Sequence, residues 1–422
     1  MTNPAPGMGA QKPGALVLAP LFPSINQPWM DTYLRQLVSQ SFRVTVVTLN
    51  SQAATGEVAT TSSPIDVVFM PADRVGQALG VLRSLFASPR LVARVWRVVR
   101  GADGGGGAVK RFLRALHALG VVRRAGSVGA IHSHSERMSC WFLDAAEALS
   151  IPMVVTFHGL PPNGLPSISP SRRRQISERV ARVLVNTRSA SSHAQALGYS
   201  EEKLEVIPQG LPVERFCGPT RRTRRASRPV EILCVGRLNR EKGQGYLLLA
   251  IARLLRNGRS VRVHVVGVGP DRDRLDELCR KHGLAESVTF HGPMRNEALI
   301  EKYYEADLLI LPSTHRRFRQ GWVETQGVVL QEAQATGCIP IATRVGGIPE
   351  CINHGVDGWL IRDRSHRAIA EAIEYFIDHP EQWPAYQEAG RQNVEENFSA
   401  DVVGRRMQEI LVTAAAQGAS RP

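Results

Sequence analysis

Short apolar runs of strand length alternate with helical stretches along almost all of this 422-residue chain, and no other feature constrains the fold as strongly. Successive strand–helix units of this kind build parallel sheets covered by helices. In the first half the expected strands are GALVLAP, FRVTVVTL, IDVVFMP, GAIHSH, PMVVTFHG, RVLVNT and KLEVIPQ. A second series follows: VEILCVGRL, RVHVVGVG, SVTFHG, ADLLILPS, CIPIATR and GWLI. Between the series lies TRRTRRASRP, residues 220–229, whose five arginines read as an exposed linker. The expected architecture is therefore α/β, with two doubly wound, Rossmann-like domains at residues 15–219 and 230–393. The Pro- and Gly-rich residues 1–14 read as a disordered tail, because they lack the apolar core of a signal peptide. Residues 366–377 read as one helix, and a terminal helix is expected from about Val394. Ligands of such sheets bind beyond the carboxyl ends of strands, so the residues that follow each strand carry the chemistry.

A composition of 43% hydrophobic and 21% charged residues is that of a soluble globular protein. No uninterrupted apolar run approaches the roughly 18 residues of a membrane-spanning helix, so a cytoplasmic protein is expected. The six cysteines (Cys140, Cys217, Cys234, Cys279, Cys338 and Cys351) lie far apart with no C-x-x-C pair, which suggests neither a disulfide framework nor a zinc site. Net charge is +14 but unevenly spread: residues 1–228 hold 28 Lys/Arg against 13 Asp/Glu, and residues 229–422 hold 24 against 25. The basic half attracts phosphates, on a lipid-linked substrate or an anionic membrane. No interleaved aromatics or nucleic-acid motif accompany it, so nucleic acid is not an expected partner. Residues 90–124 hold nine Lys/Arg on an apolar background. Arg90, Arg94 and Arg97 recur at helical spacing with Leu91, Val95 and Val98 on another face and Trp96 nearby. That pattern fits either an amphipathic helix lying on an anionic membrane or a solvated surface helix.

The stretch ETQGVVLQE, from Glu324 to Glu332, sets two carboxylates eight residues apart around Gly327. In a strand–loop–helix setting, Glu324 sits on the loop and Glu332 two turns into the helix. The N–H groups of Val328 and Val329 then stay unpaired at the positive end of the helix, an anion site suited to a diphosphate. Carboxylates beside it accept hydrogen bonds from hydroxyls. After the first strand of the second series comes VGRLNREKG, with Arg237 and Lys242 as two cations on a strand-to-helix loop and Gly243 relieving crowding. Gly267 and Gly269 allow a planar group to approach the backbone closely. FHGPM supplies Gly292 and, two residues on, Met294.

The order GRLNREKG, GVGP, FHG, ADLLILPS, E-x7-E, GGIPE resembles that of the retaining glycosyltransferases of family 4, which have the GT-B fold. The likeness covers the second half closely and the first half more loosely, through HSH, TFHG and VIPQGLPVERF, and the ETQGVVLQEAQATG wording resembles enzymes of bacterial surface polysaccharides. It implies a UDP- or GDP-linked sugar in the cleft between the domains, as donor substrate rather than cofactor. Arg237 and Lys242 would bind the diphosphate, Glu332 the ribose hydroxyls and Glu324 the sugar hydroxyls. Gly327, Val328 and Val329 would contact sugar and phosphate, residues near Gly269, Gly292 and Met294 the base. His158 of TFHG would contact the donor sugar near the reacting carbon. His132 and His134 read as marking a strand end, and no divalent metal is expected. The resemblance also assigns the terminal helix, 394–422, to the first domain. Retaining transfer to a glycan or polyprenyl-diphosphate-linked acceptor at the inner membrane face is the implied activity. The alternatives are a sugar-nucleotide epimerase of the same fold and a non-catalytic nucleotide-sugar-binding subunit.

The chain departs from the family at PLFPSINQPW (20–29), which replaces a glycine-rich loop, and at Thr325 and Gln326, which stand where glycine and an apolar residue are usual. The last two are expected to alter contacts to the sugar. THRRFRQGW (314–322) is unusually basic, ready to meet a phosphorylated acceptor or simply solvated.

Overall fold

The structure is a computed structural model that describes residues 14–22, 28–50, 65–70, 74–102, 107–159, 168–216, 218, 228–315 and 324–419. The tail to residue 13, half of the 20–29 stretch, most of the 220–229 stretch, Cys217 and residues 316–323 lie outside the described residues.

Each apolar run forms a strand. The first sheet comprises β1 (Gly14–Leu21), β2 (Arg43–Asn50), β3 (Ile65–Phe69), β4 (Ala130–Ser133), β5 (Met153–Phe157), β6 (Arg182–Val185) and β7 (Leu204–Val206). The second comprises β8 (Val230–Val235), β9 (Val261–Val266), β10 (Val288–Gly292), β11 (Leu308–Leu311), β12 (Ile339–Thr343) and β13 (Trp359–Ile361). Their orders are β3-β2-β1-β4-β5-β6-β7 and β10-β9-β8-β11-β12-β13, all parallel. In each sheet the order reverses between the first strand and the fourth, β1/β4 and β8/β11. Crevices open at such points, where successive crossovers leave to opposite faces.

Strands buried on both faces read as unbroken hydrophobic runs, and β4 and β11 are buried at every position. One face of the first sheet is covered by helices carrying Val95, Leu116, Phe142 and Ile176, the other by helices carrying Leu34, Met407 and Leu411. In the second sheet, Leu247, Ile251 and Phe376 cover one face, and Tyr303, Leu330 and Phe398 the other. Serine or threonine side chains cap the starts of several helices. Ser365 accepts the Ala368 N–H at 3.1 Å, just ahead of the buried stripe Ile369, Ile373, Phe376, and such a cap contributes about 1 kcal/mol.

Two boundaries differ from the sequence reading. The stretch from Val394 is not one terminal helix: Trp383–Asn397 ends at Phe398, and Ala400–Ala419 starts anew. The cause is a strand-like exchange with the interdomain segment, in which Leu211 N donates to Phe398 O and Ala400 N to Leu211 O, both at 2.7 Å. The first of these helices packs in the second domain through Val394. The last returns to pack on β4 and on the helix Pro28–Ser39 of the first. Glu332 lies in the first turn of Val329–Thr336 rather than two turns in, because the backbone from Glu324 to Val328 stays extended or turned.

Candidate functional site

The second sheet's reversal point gathers two loops. After β8 the chain turns through Gly236, Arg237 and Leu238 into a 3-10 turn, Arg240–Lys242, capped by Asn239 Oδ1 accepting from Lys242 N at 3.1 Å. Gly243, with φ 69°, then starts the helix Gln244–Arg256. A Cβ at Gly243 would stand 1.9 Å from the Pro312 carbonyl oxygen, so only glycine lets this loop lie against the end of β11. From β11, on the other side of the reversal, come Ser313 and the loop that carries Glu324.

These loops meet in one ion pair. Lys242 Nζ lies 2.6 Å from Glu324 Oε2, and the Ser313 hydroxyl donates to that same oxygen at 3.0 Å. Ser313 is held in turn by its carbonyl, which accepts from Thr343 Oγ1 at 2.6 Å. The two side chains are 18% and 11% exposed, dry enough for the attraction to be only weakly screened. Glu324 Oε1 has no hydrogen bond among the described residues. Arg237, on the same loop, is exposed.

Behind Glu324, Gly327 adopts φ 76° and turns the chain into Val329–Thr336. The first helical turn closes with Leu330 N on Gly327 O at 2.9 Å and Glu332 N on Val328 O at 3.1 Å. Among the described residues the N–H groups of Val328 and Val329 have no partner, which leaves two donors at the helix N-terminus. Glu332 accepts from the hydroxyl of buried Tyr303 at 2.6 Å. Burial raises its carboxyl above the ordinary value, against the Tyr303 hydrogen bond and the charge of Arg215. Glu332, Tyr303, Arg215, Gln209 and Val328 line one pocket between the domains.

The glycines after β9 serve the protein's own backbone. Cβ atoms at Gly267 and Gly269 would come within 2.1 Å of Gly236 O and 2.2 Å of Leu238 O. Leu238 N donates to Val268 O at 2.9 Å and Asp271 N to Leu238 O at 3.0 Å. The close approach read from the sequence is therefore made by the β8 loop. Gly292, by contrast, has open space about it and a φ of 71°, and Met294 is half-buried beside it.

The first domain contributes histidines at its strand ends. His134, past β4, bonds His158, past β5, through Nδ1 and Nε2 at 2.9 Å, with the rings stacked 16° apart. His132 is held between the Tyr33 hydroxyl and Thr156 Oγ1, the latter at 2.7 Å from Nε2. Burial lowers His132 and His158 to about 3, and His134 well below its ordinary value, so the cluster is neutral. His134 and His158 line a pocket with Tyr33, Asn186 and Gln209. Among the described residues no group of three His, Cys, Asp or Glu side chains is placed to hold a metal.

Contacts the sequence did not signal join the banks of the crevice. Gln326, 2% exposed, accepts Gln209 N at 2.7 Å and donates to Gln209 O at 3.1 Å. Thr187 Oγ1 donates to Thr325 O at 2.9 Å. Glu350 receives Arg188 N at 2.6 Å and Ser189 N at 2.8 Å, at the start of the helix Arg188–Ala196. Gln326 and the Thr325 backbone thus link the domains, where the sequence suggested contacts to sugar. Ser313, Tyr303, Gln209 and Glu350 were not singled out in the sequence. The serine closing ADLLILPS and the glutamine in VIPQG were the available hints.

Comparison with known proteins bears on the family and the fold. The family described as "Glycosyltransferase Family 4" matches residues 29–215, and "Glycosyl transferases group 1" matches residues 220–393. The chain is 30% identical over 219 residues to the putative colanic acid biosynthesis glycosyltransferase WcaL of Escherichia coli, covering 51% of this chain and 53% of that protein. It is 29% identical over 234 residues to the GDP-mannose-dependent alpha-(1-6)-phosphatidylinositol monomannoside mannosyltransferase of Mycobacterium tuberculosis, covering 54% and 60%. The matched region thus spans little more than half the length of these relatives. Among solved structures, Anabaena HepE in complex with UDP and glucose superposes with a TM-score of 0.69 at 17% identity, over 95% of this chain and 99% of that one. A sucrose-phosphate synthase from Thermosynechococcus elongatus superposes at 0.71 and 18% identity, over 96% and 100%. Both likenesses speak for the two-domain fold.

Proposed function

The chain belongs to the family 4 glycosyltransferases, and from that membership we propose that it moves a sugar from a nucleoside-diphosphate donor to a hydroxyl of a glycan or lipid-linked acceptor, with retention of configuration and without a metal. The observation that carries this reading is the Lys242–Glu324 pair, which bridges the β8/β11 reversal point beside the Val328 and Val329 donors, unpartnered among the described residues. A cation, a helix N-terminus and a carboxylate meet there. A sugar diphosphate offers the matching anion and hydroxyls.

In this scheme the diphosphate lies on Val328 N–H and Val329 N–H after the turn at Gly327, with Lys242 and Arg237 as counter-charges. Glu324 Oε1 takes a sugar hydroxyl and Glu332 the ribose hydroxyls. The base lies by Gly269, Gly292 and Met294, and His158 by the reacting carbon. Departure of the diphosphate builds negative charge, which preplaced cations stabilise most in the transition state. Among the described residues no side chain is assigned as a nucleophile. The incoming hydroxyl attacks the face the leaving group vacates and passes its proton to the departing phosphate. Loss of Arg237 or Lys242 should cost about 2–4 kcal/mol of transition-state stabilisation.

The relatives supply two kinds of donor, GDP-mannose in the mannosyltransferase name and UDP with glucose in the HepE complex, and a role in surface polysaccharide comes from WcaL. Thermal stabilisation by a panel of UDP- and GDP-sugars, followed by the anomeric configuration of the product, tests the proposal. An inverted linkage overturns the mechanism, and a melting point unmoved by every donor overturns the assignment. Donor bound but never turned over would leave a binding subunit.

Contact with an anionic membrane is part of the proposal. Among the described residues no helix is long and apolar enough to cross a membrane. The exposed large apolar side chains concentrate between residues 67 and 113, including Phe69, Leu79, Leu82, Trp96 and Leu113. Exposed Arg90, Arg94, Arg97 and Arg100 project from the helix Pro89–Ala102 among them. Vesicle flotation tests this: binding to anionic and not to zwitterionic vesicles is expected.

A further inference from the structure

A second basic cavity, of about 300 Å³, opens on the outer side of the first domain and shares no residue with the crevice pockets. Three helices build it: Ala108–Arg124, Glu136–Ala148 and Pro170–Arg179. Arg111, Arg114, Arg137 and Arg172 line it with Trp141 and one carboxylate, Asp144.

That carboxylate is already committed. Arg111 holds Asp144 at 2.9 and 3.3 Å, and Arg179 reaches the same group at 2.8 Å. Glu136, at the head of the middle helix, is held by Arg173 at 2.8 Å and the Tyr199 hydroxyl at 2.7 Å. Among the described residues Arg172 Nη1 finds a neutral partner, Gln175 Oε1 at 3.2 Å. Arg114 and Arg137 have no carboxylate partner among the described residues. Their guanidinium carbons lie 5.8 and 5.9 Å from the Trp141 ring centroid. The helices Ala108–Arg124 and Pro170–Arg179 both begin without an acidic residue in their first turn, so their positive ends add to the field.

Three guanidinium groups held around one concavity without a counter-charge repel one another, and a bound anion relieves that repulsion. A monoanion would satisfy one of them. A phosphoryl group, with up to two charges and three acceptor oxygens, matches the donors available, and arginine forks suit its geometry. We propose that this cavity binds a phosphoryl group, gripped by Arg114, Arg137 and Arg172 beside Trp141, at a site separate from the sugar-nucleotide crevice. The group comes from a soluble phosphate ester or from a lipid headgroup, and the chemistry of capture is the same.

Cys140 lines the cavity and is half-buried, whereas the other described cysteines are buried, so it reports on occupancy from within. Its thiol is pushed up to about 11 by burial, so labelling is run at alkaline pH. The full-length protein is treated with a small neutral thiol reagent at fixed ionic strength, and peptide mass spectrometry follows Cys140. Inorganic pyrophosphate should slow its modification saturably. In the double variant Arg114→Gln/Arg137→Gln, the half-protecting concentration should rise about tenfold or more, since a lost charged hydrogen bond costs at least that factor. Both arginines are exposed, so the variant should fold, and an unchanged melting point checks this. Phosphatidic acid vesicles, with phosphatidylcholine vesicles as control, form the second arm. Protection by pyrophosphate assigns a soluble ligand, and protection by phosphatidic acid alone a lipid headgroup. Absence of protection in both arms, or equal protection in the double variant, overturns the proposal. Because the reading is taken at Cys140 and not from turnover, it stands or falls independently of sugar transfer.

Discussion

Gln326 and Gln209 clasp each other across the crevice: the side-chain amide of one satisfies both the N–H and the C=O of the other, at 2.7 and 3.1 Å, although 117 residues separate them. Gln326→Leu preserves the volume but strands both backbone groups. A buried, unsatisfied group costs about 1–3 kcal/mol, and water can reach the half-buried Gln209 backbone to offset part of the loss of the pair. Chemical denaturation should report a loss in that range, and donor affinity should shift as the domains loosen. Unchanged stability would mean that water replaces the clasp at no cost.

Lys242 and Glu324 form a pair whose halves are costly to separate. Lys242→Met should destabilise by about 3 kcal/mol, because Glu324 is left charged in a largely dry pocket. Lys242→Met combined with Glu324→Gln should recover most of that loss. Both variants, and Glu324→Gln alone, should fail to turn over donor. A double-mutant cycle in denaturant checks the first two statements, and a fully additive cycle would contradict them.

Glu332 trades stability for its expected role. Burial raises its pKa above the ordinary 4.5, so its stability contribution is complete below 4.5 and is lost as pH rises through the folded value. Glu332→Gln keeps an acceptor for Tyr303 and carries no charge. The variant should melt higher than the native protein at neutral pH and match it in acid, while binding donor more weakly. Thermal scans across that range decide it.

The histidine cluster predicts the opposite slope. His132 and His158 are lowered from 6.5 to about 3 by burial, so the unfolded chain takes up protons first as pH falls. Their contribution is complete above 6.5 and drains away between 6.5 and about 3. His132→Gln should flatten the acid limb of a stability-against-pH curve, and an unaltered limb would assign it elsewhere.

Gly243 and Gly283 both take positive φ, 69° and 65°, but only the first is crowded. Gly283→Ala should cost about 1 kcal/mol from the backbone alone. Gly243→Ala adds a clash with the Pro312 carbonyl, so its melting point should fall much further.

The sheets were legible because strands buried on both faces leave continuous apolar runs, and the thirteen named strands all form. The strand ends, and so the loops bearing Lys242, Glu324 and His158, followed from that pattern. What stayed hidden depends on residues far apart in the chain. Gln326 looked like a contact to sugar because nothing local reveals Gln209. Gly267 and Gly269 signalled a close approach without saying that Gly236 and Leu238 make it. The break at Phe398 has a local trace in Ser399, whose hydroxyl accepts from Val402 N at 3.4 Å. The exchange with Leu211 that enforces it has none.

The helix Ala400–Ala419 completes the first domain's core, where Leu411 and Met407 pack with Val17 and Leu34. During synthesis, therefore, the first domain waits for residues 400–419 to leave the ribosome before it can close over its own sheet. A gene product shortened before residue 400 would injure the domain made first, leaving the one made second comparatively intact.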